Sequence, residues 1–158
     1  MGYLVDGNNV MGQRIGWHRD KPGARRRLLA DLSRFARAAG VTLEVVFDGA
    51  PDEAFPDGSD FTGVRVFYAA RGSDADSRIK QMVEDSRERR TLKVVTSDRA
   101  LAAYVRRCGA SVIPSGEFRR RLDDTADGRE PEREPDAVLP TDLGEWMYYF
   151  GVAPEDDE

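Results

Sequence analysis

Five aspartates follow short apolar runs at comparable places in the chain. Asp6 closes Tyr3-Leu4-Val5, Asp48 closes Val45-Val46-Phe47, Asp74 and Asp76 come shortly after Val66-Phe67-Tyr68, and Asp98 follows Val94-Val95-Thr96-Ser97. Carboxylates gathered without histidine or cysteine make a hard-oxygen site, which suits Mg²⁺ or Mn²⁺ over zinc. Left unpaired, such acids repel one another and their pKa values rise. A divalent cation relieves the repulsion, polarises a phosphoryl oxygen and lowers the pKa of a bound water, which equips a site to hydrolyse a phosphodiester. His18 and Cys108 are the only histidine and cysteine, so neither an internal disulfide nor a nitrogen–sulfur zinc set is available. Each aspartate taken alone has a plainer reading, because Asp is a common helix cap and turn former. The recurrence is what carries weight.

The elements that must position these acids can be read from periodicity. Tyr3-Leu4-Val5 reads as a buried strand running into the turn Asp6-Gly7-Asn8-Asn9, with Gly7 and Gly12 as turn glycines. A helix opens near Pro22, carries Leu28, Leu29, Leu32, Phe35, Ala36 and Ala39 on one face, and stops at Gly40. Strands follow at 42–47 and 64–68, separated by the Pro-, Gly- and Asp-rich stretch Asp52 to Gly63, which reads as a loop. Ser73 or Asp74 caps a helix reaching about Glu88, with Ile79, Met82 and Val83 inward. A strand at 92–96, a helix capped by Ser97-Asp98, a short strand at 111–113 and a last short helix from Ser115 complete the series. Strands alternating with such helices predict an α/β fold with a central parallel sheet of about five strands and helices on both faces. In an open parallel sheet the ligand site lies beyond the carboxyl ends of the strands. Four of the five strands deliver an aspartate to that edge.

Length and charge fill in the organisation. At 158 residues the chain holds one domain's core. No apolar run approaches the roughly 20 residues of a membrane span, and Met1 to Asp6 is too soon acidic for a signal peptide, so a reducing cytoplasm is expected. The net charge of −5 divides unevenly. Residues 1–122 hold 22 Lys and Arg against 16 Asp and Glu, a net of +6, whereas residues 123–158 hold 2 against 13, a net of −11. A basic body can attract phosphates regardless of the acidic tail. Residues 123–140 read as a Pro-containing acidic linker, and 141–158 as an aromatic segment, Trp146 to Phe150, with an acidic end.

These motifs in this order resemble the NYN domains of the PIN-like nuclease superfamily, and within them the YacP-like group. Leu4-Val5-Asp6-Gly7-Asn8-Asn9-Val10 is similar to the opening motif, and Val46-Phe47-Asp48-Gly49, Ser73-Asp74-Ala75-Asp76-Ser77-Arg78-Ile79 and Val95-Thr96-Ser97-Asp98 follow, the resemblance covering residues 3–122. It implies a three-layer PIN-like fold and a divalent-cation-dependent endoribonuclease, with ribosome association among the group's properties. Asp6, Asp76 and Asp98 would be the metal-binding acids and Asn9 a polar support beside them. Asp74 would cap its helix or join the site, and Asp48 would bind water beside it or fix its turn. The PIN pattern also has an acid on the first helix, where this chain offers only Asp31.

For substrate contact, Arg14, Arg19, Lys21 and Arg25, Arg26 and Arg27 lie in or after the loop leaving the first strand, and Arg71, Arg78 and Arg99 lie beside the acid motifs. Such residues grip phosphates without reading sequence. Trp17 either stacks on an unpaired base or packs under its loop, and the lone His18 reads as a surface residue. The expected activity is therefore hydrolysis of single-stranded or unpaired RNA by metal-activated water. The alternative is a catalytically inert RNA- or ribosome-binding module. A phosphatase of haloacid dehalogenase type is disfavoured because Asp6-Gly7-Asn8 lacks the aspartate-x-aspartate pair expected after the first strand. Oligomeric state is left open by the sequence.

Overall fold

A computed structural model describes residues 2–69 and 72–128. Arg71, most of the linker and the aromatic segment lie outside the described residues. The strands are β1 (Gly2–Asp6), β2 (Thr42–Phe47), β3 (Ser59–Phe61), β4 (Val64–Tyr68), β5 (Lys93–Val95) and β6 (Ser111–Ile113). The helices are α1 (Gly7–Met11), α2 (Lys21–Ala39), α3 (Ala75–Asp85), α4 (Arg99–Arg107) and α5 (Ser115–Ala126). They form one six-stranded sheet in the order β3-β4-β2-β1-β5-β6, parallel throughout except for β3, which runs antiparallel to β4 at the edge. Among the described residues no helix is long and apolar enough to cross a membrane.

Side chains alternate across each strand, so the sheet feeds two separate cores. Tyr3, Val5, Leu43, Val45 and Phe47 pack on one face with Leu28, Leu32 and Phe35 of α2 and Phe118 and Leu122 of α5. Leu4, Val46 and Val94 pack on the other with Ile79 and Val83 of α3 and Leu101 and Val105 of α4. Three layers result, and β1 is central with β2 and β5 as its neighbours. That placement puts Asp6, the last residue of β1, in the middle of the carboxyl edge.

Four local readings change. The segment expected to be a loop between Asp52 and Gly63 contains β3, a half-exposed edge strand with no apolar alternation to announce it. It joins β4 through Thr62 and Gly63, whose φ values of 48° and 92° belong to the tight hairpin turns that need positive φ at both positions. The turn expected after β1 is a short helix, α1, although Gly and Asn are poor helix formers. Tertiary contacts hold it, since Val10 and Met11 are buried in the core beside α2 and α5. Finally, α3 ends at Asp85, and α5 runs to Ala126, four residues past the boundary read at 122.

Gly7 is what lets α1 start so close to the sheet. A Cβ there would stand 2.6 Å from two ring carbons of Phe47 and 3.0 Å from Val45. Phe47 is fully buried, so its ring has little room to yield. Gly7→Ala is expected to destabilise the fold by about 1–3 kcal/mol, read as a lower melting temperature. An unchanged melt would mean that α1 is not seated as described.

Candidate active site at the carboxyl edge

Asp6 is the only carboxylate residue of the described core, 9% exposed. The Thr96 hydroxyl donates to its Oδ2 (3.1 Å), and the Asp98 N–H donates to the Thr96 oxygen (3.1 Å), so β1 and the β5–α4 turn are tied through one threonine. Burial pushes Asp6 up from 3.8 to about 6. The hydroxyl of Thr96 and the backbone of Asn9 pull it down, while the carboxylates of Asp48 and Asp76 push it further up.

The other acids are each engaged by the fold. Asp48 follows β2, and its Oδ1 accepts the Ala75 N–H (2.7 Å) at the start of α3. Its own N–H donates to Asn8 Oδ1 (2.9 Å), and its carbonyl accepts from Arg25. Asp76, in the first turn of α3, pairs with Lys80 at 3.2 Å. Asp74 caps α3 by accepting the Ser77 N–H (2.9 Å), which also holds its carboxyl below the usual range. Asp98 caps α4 through the Leu101 N–H (3.0 Å) and is exposed. Both cap readings thus describe real contacts. Among the described residues, no three His, Cys, Asp or Glu side chains are gathered tightly enough to hold a metal ion as they stand.

Asn9 sits at the hub. Its Oδ1 accepts from the Ser97 N–H (2.8 Å) and from the Ser115 hydroxyl, joining α1 to the β5–α4 turn and to the start of α5. Ser97 closes the ring by accepting the Ser115 N–H (2.9 Å). Thr96, Ser115, Asn8 and Lys80 were not singled out by sequence reasoning. A hydroxyl or amide has no signature until its distant partner is known.

The expected substrate contacts separate into two sets. Arg25 packs over Phe47 and Tyr68 and bonds the carbonyls of Asp48 and Ala50, so it braces the Asp48 turn. Arg78 lies over Phe67 and donates to the Tyr68 carbonyl (2.6 Å) and to Asp57 (3.3 Å). Arg99 is exposed in the first turn of α4, beside Asp98. Arg14 pairs with Asp123 (3.0 Å), and Trp17 is half-buried against the core with Lys21 over its ring. His18 is exposed, as expected. Asp31 is held by Arg34 (3.3 Å) and Arg119 (3.2 Å), and so is drawn into an arginine cluster.

The profile of the YacP-like NYN domain matches residues 3–137. The crystal structure of Rae1 (YacP) from Bacillus subtilis is similar in fold, with a TM-score of 0.66 at 22% identity over 81% of this chain and 76% of that one. A tryptophan-to-leucine variant of that protein is similar to the same degree, at 21% identity over 80% and 77%. No curated protein matches the chain.

The raised pKa of Asp6 sets a pH dependence. An acid whose folded pKa exceeds its unfolded value contributes stability when protonated, fully present below about pH 4 and lost as pH rises through about 6. At pH 7.5 the buried charge costs up to about 3 kcal/mol. In metal-free buffer, Asp6→Asn is expected to melt higher than the wild type at pH 7.5, with the difference shrinking toward pH 4. A lower melt at pH 7.5 would identify Asp6 as a structural anchor.

Proposed function

The chain belongs to the YacP-like NYN domain family, a nuclease-like family, and from that premise we propose that it is a metal-dependent endoribonuclease hydrolysing phosphodiester bonds of single-stranded or unpaired RNA. The observation that carries this reading is Asp6, a buried carboxylate at the centre of the carboxyl edge with Asp48 and Asp76 pressing on it. A protein gains nothing in stability from that arrangement. A bound divalent cation would relieve that repulsion, which is what supports the reading.

The donors fit a hard divalent cation in their chemistry, since all are carboxylate oxygens and their repulsion is what a cation relieves. Asp6 and Asp76 would hold Mg²⁺ or Mn²⁺, with Asp98 contributing the oxygen its cap leaves over and Asp48 flanking the set. Bound there, the ion supplies a polarised phosphoryl oxygen and a more acidic water. Asn9 is a positioning residue, because it fixes the turn that carries Asp98 relative to Asp6. Arg99 offers a guanidinium to the phosphate chain beside that turn. Lys80 pairs with Oδ2 of Asp76 at 3.2 Å, which leaves Oδ1 for an ion.

One observation favours the second reading, an inert RNA- or ribosome-binding module. No closed trio of candidate metal ligands exists among the described residues, and Asp74 and Asp98 each commit one oxygen to a cap. Incubation of labelled single-stranded RNA with Mn²⁺, Mg²⁺ or EDTA decides between them. Cleavage with either metal and none in EDTA is expected. Asp6→Asn and Asp76→Asn should each lower the rate on the order of 100-fold or more, as befits a loss of several kcal/mol of charge stabilisation. Binding without cleavage under every metal condition would establish the inert module.

A further inference from the structure

A cavity lies between α2, α5 and the chain leaving α1. It encloses about 230 Å³ and is lined by Met11, Arg14, Trp17, Arg27, Asp31 and Arg119 among others. Its charges do not balance. Arg14, Arg27 and Arg119 line it against one carboxylate, Asp31, while Asp123, outside the lining, also pairs with Arg14 (3.0 Å) and Arg119 (3.8 Å). Arg119 is the unusual member. Its side chain is only 8% exposed, and its buried Nε has no hydrogen-bond partner. Burial and the nearby Arg14 both work against its charge. A buried cation that is short of acceptors, in a wall with two surplus positive charges, is a place where an anion would be stabilised.

The remainder of the lining is not that of a simple phosphate site. Met11, Leu28 and the half-buried Trp17 make an apolar floor, and Ile15 at the rim is a fully exposed large hydrophobic side chain. The volume lies below the roughly 300–1,000 Å³ of sites for drug-sized ligands. A flat ring with an attached anion matches both features, and a duplex could not present one without unstacking it.

Position links the cavity to the candidate active site. Arg119 lies one turn along α5 from Ser115, which bonds Asn9, a rise of about 6 Å. Met11 ends the helix that Asp6 opens. We propose that this cleft takes one unpaired nucleotide of the RNA next to the scissile position, its phosphate held by Arg14 and Arg27 and its base lodged against Trp17. The proposal rests on the RNA-hydrolase reading and adds a reason for single-strand preference.

The test is RNA binding in EDTA, followed by fluorescence anisotropy with a short labelled oligouridylate and its fully abasic counterpart. Arg27 is exposed on α2, so Arg27→Ala should leave the melt unchanged and reduce the slope of log affinity against log salt by about 0.7. The abasic strand should bind the wild type more weakly, and Trp17→Ala should narrow that gap by about 5-fold or more. Since Trp17 packs on the core, a second readout avoids its removal. Trp17 and Trp146 are the only tryptophans, so in a Trp146→Phe chain the emission of Trp17 should be quenched at saturating RNA. An unchanged salt slope in Arg27→Ala, or unquenched Trp17 emission, would overturn the cleft while leaving cleavage by the wild type intact. A wild type that neither binds nor cleaves RNA would overturn the hydrolase reading, and the cleft with it.

Discussion

Everything at the carboxyl edge depends on keeping a carboxylate buried at the end of the central strand. Placing Asp6 there raises it from 3.8 to about 6, which at neutral pH costs about 3 kcal/mol. That is a sizeable part of the roughly 5–15 kcal/mol that hold an ordinary domain together. The two cores on either face of the sheet, with Val5, Val46, Val94 and Val95 fully buried around Asp6, must supply the difference. A hydroxyl from Thr96 and the backbone of Asn9 recover part of it.

The neighbouring acids are managed differently. Asp74 and Asp98 stay exposed and spend an oxygen on the first turns of α3 and α4. Asp48 does similar work from another strand, accepting from Ala75 at the start of α3. These helix starts bring partial positive charge to the same edge, which offsets some of the crowding of negative charge. Capping and chemistry are therefore compatible roles. A carboxylate has two oxygens, and a cap needs one of them.

Much of this was legible because it is local. Apolar runs ending in aspartate marked β1, β2 and β5, and Gly40 marked the end of α2, where it takes a φ of 70°. Helix caps at Asp74 and Asp98 follow from one residue and its successor three positions on. Features that escaped the sequence are those whose partner is far away. Asn8 finds Asp48 across 40 positions, Asn9 finds Ser97 across 88, and Ser115 reaches Asn9 across 106. Arg25 looked like a phosphate ligand by charge alone and is instead a brace, because Phe47, Tyr68 and two carbonyls meet it. β3 escaped for another reason, since a three-residue edge strand with one apolar side chain, Phe61, is too short to show an alternation.

The fate of Asp31 ties these observations together. The resemblance implies an acid on the first long helix, and Asp31 is the only one that α2 carries. The structure turns it toward Arg14, Arg34 and Arg119, where it is needed to make a buried arginine tolerable. An acid held by three guanidinium groups is poorly placed to serve a cation as well, because metal binding would leave those charges uncompensated. Asp48, following β2, instead accepts from the start of α3 and raises Asp6. The carboxyl edge is thus furnished from strand ends and helix starts. The α2–α5 side, with Asp31 committed, keeps an excess of positive charge beside it.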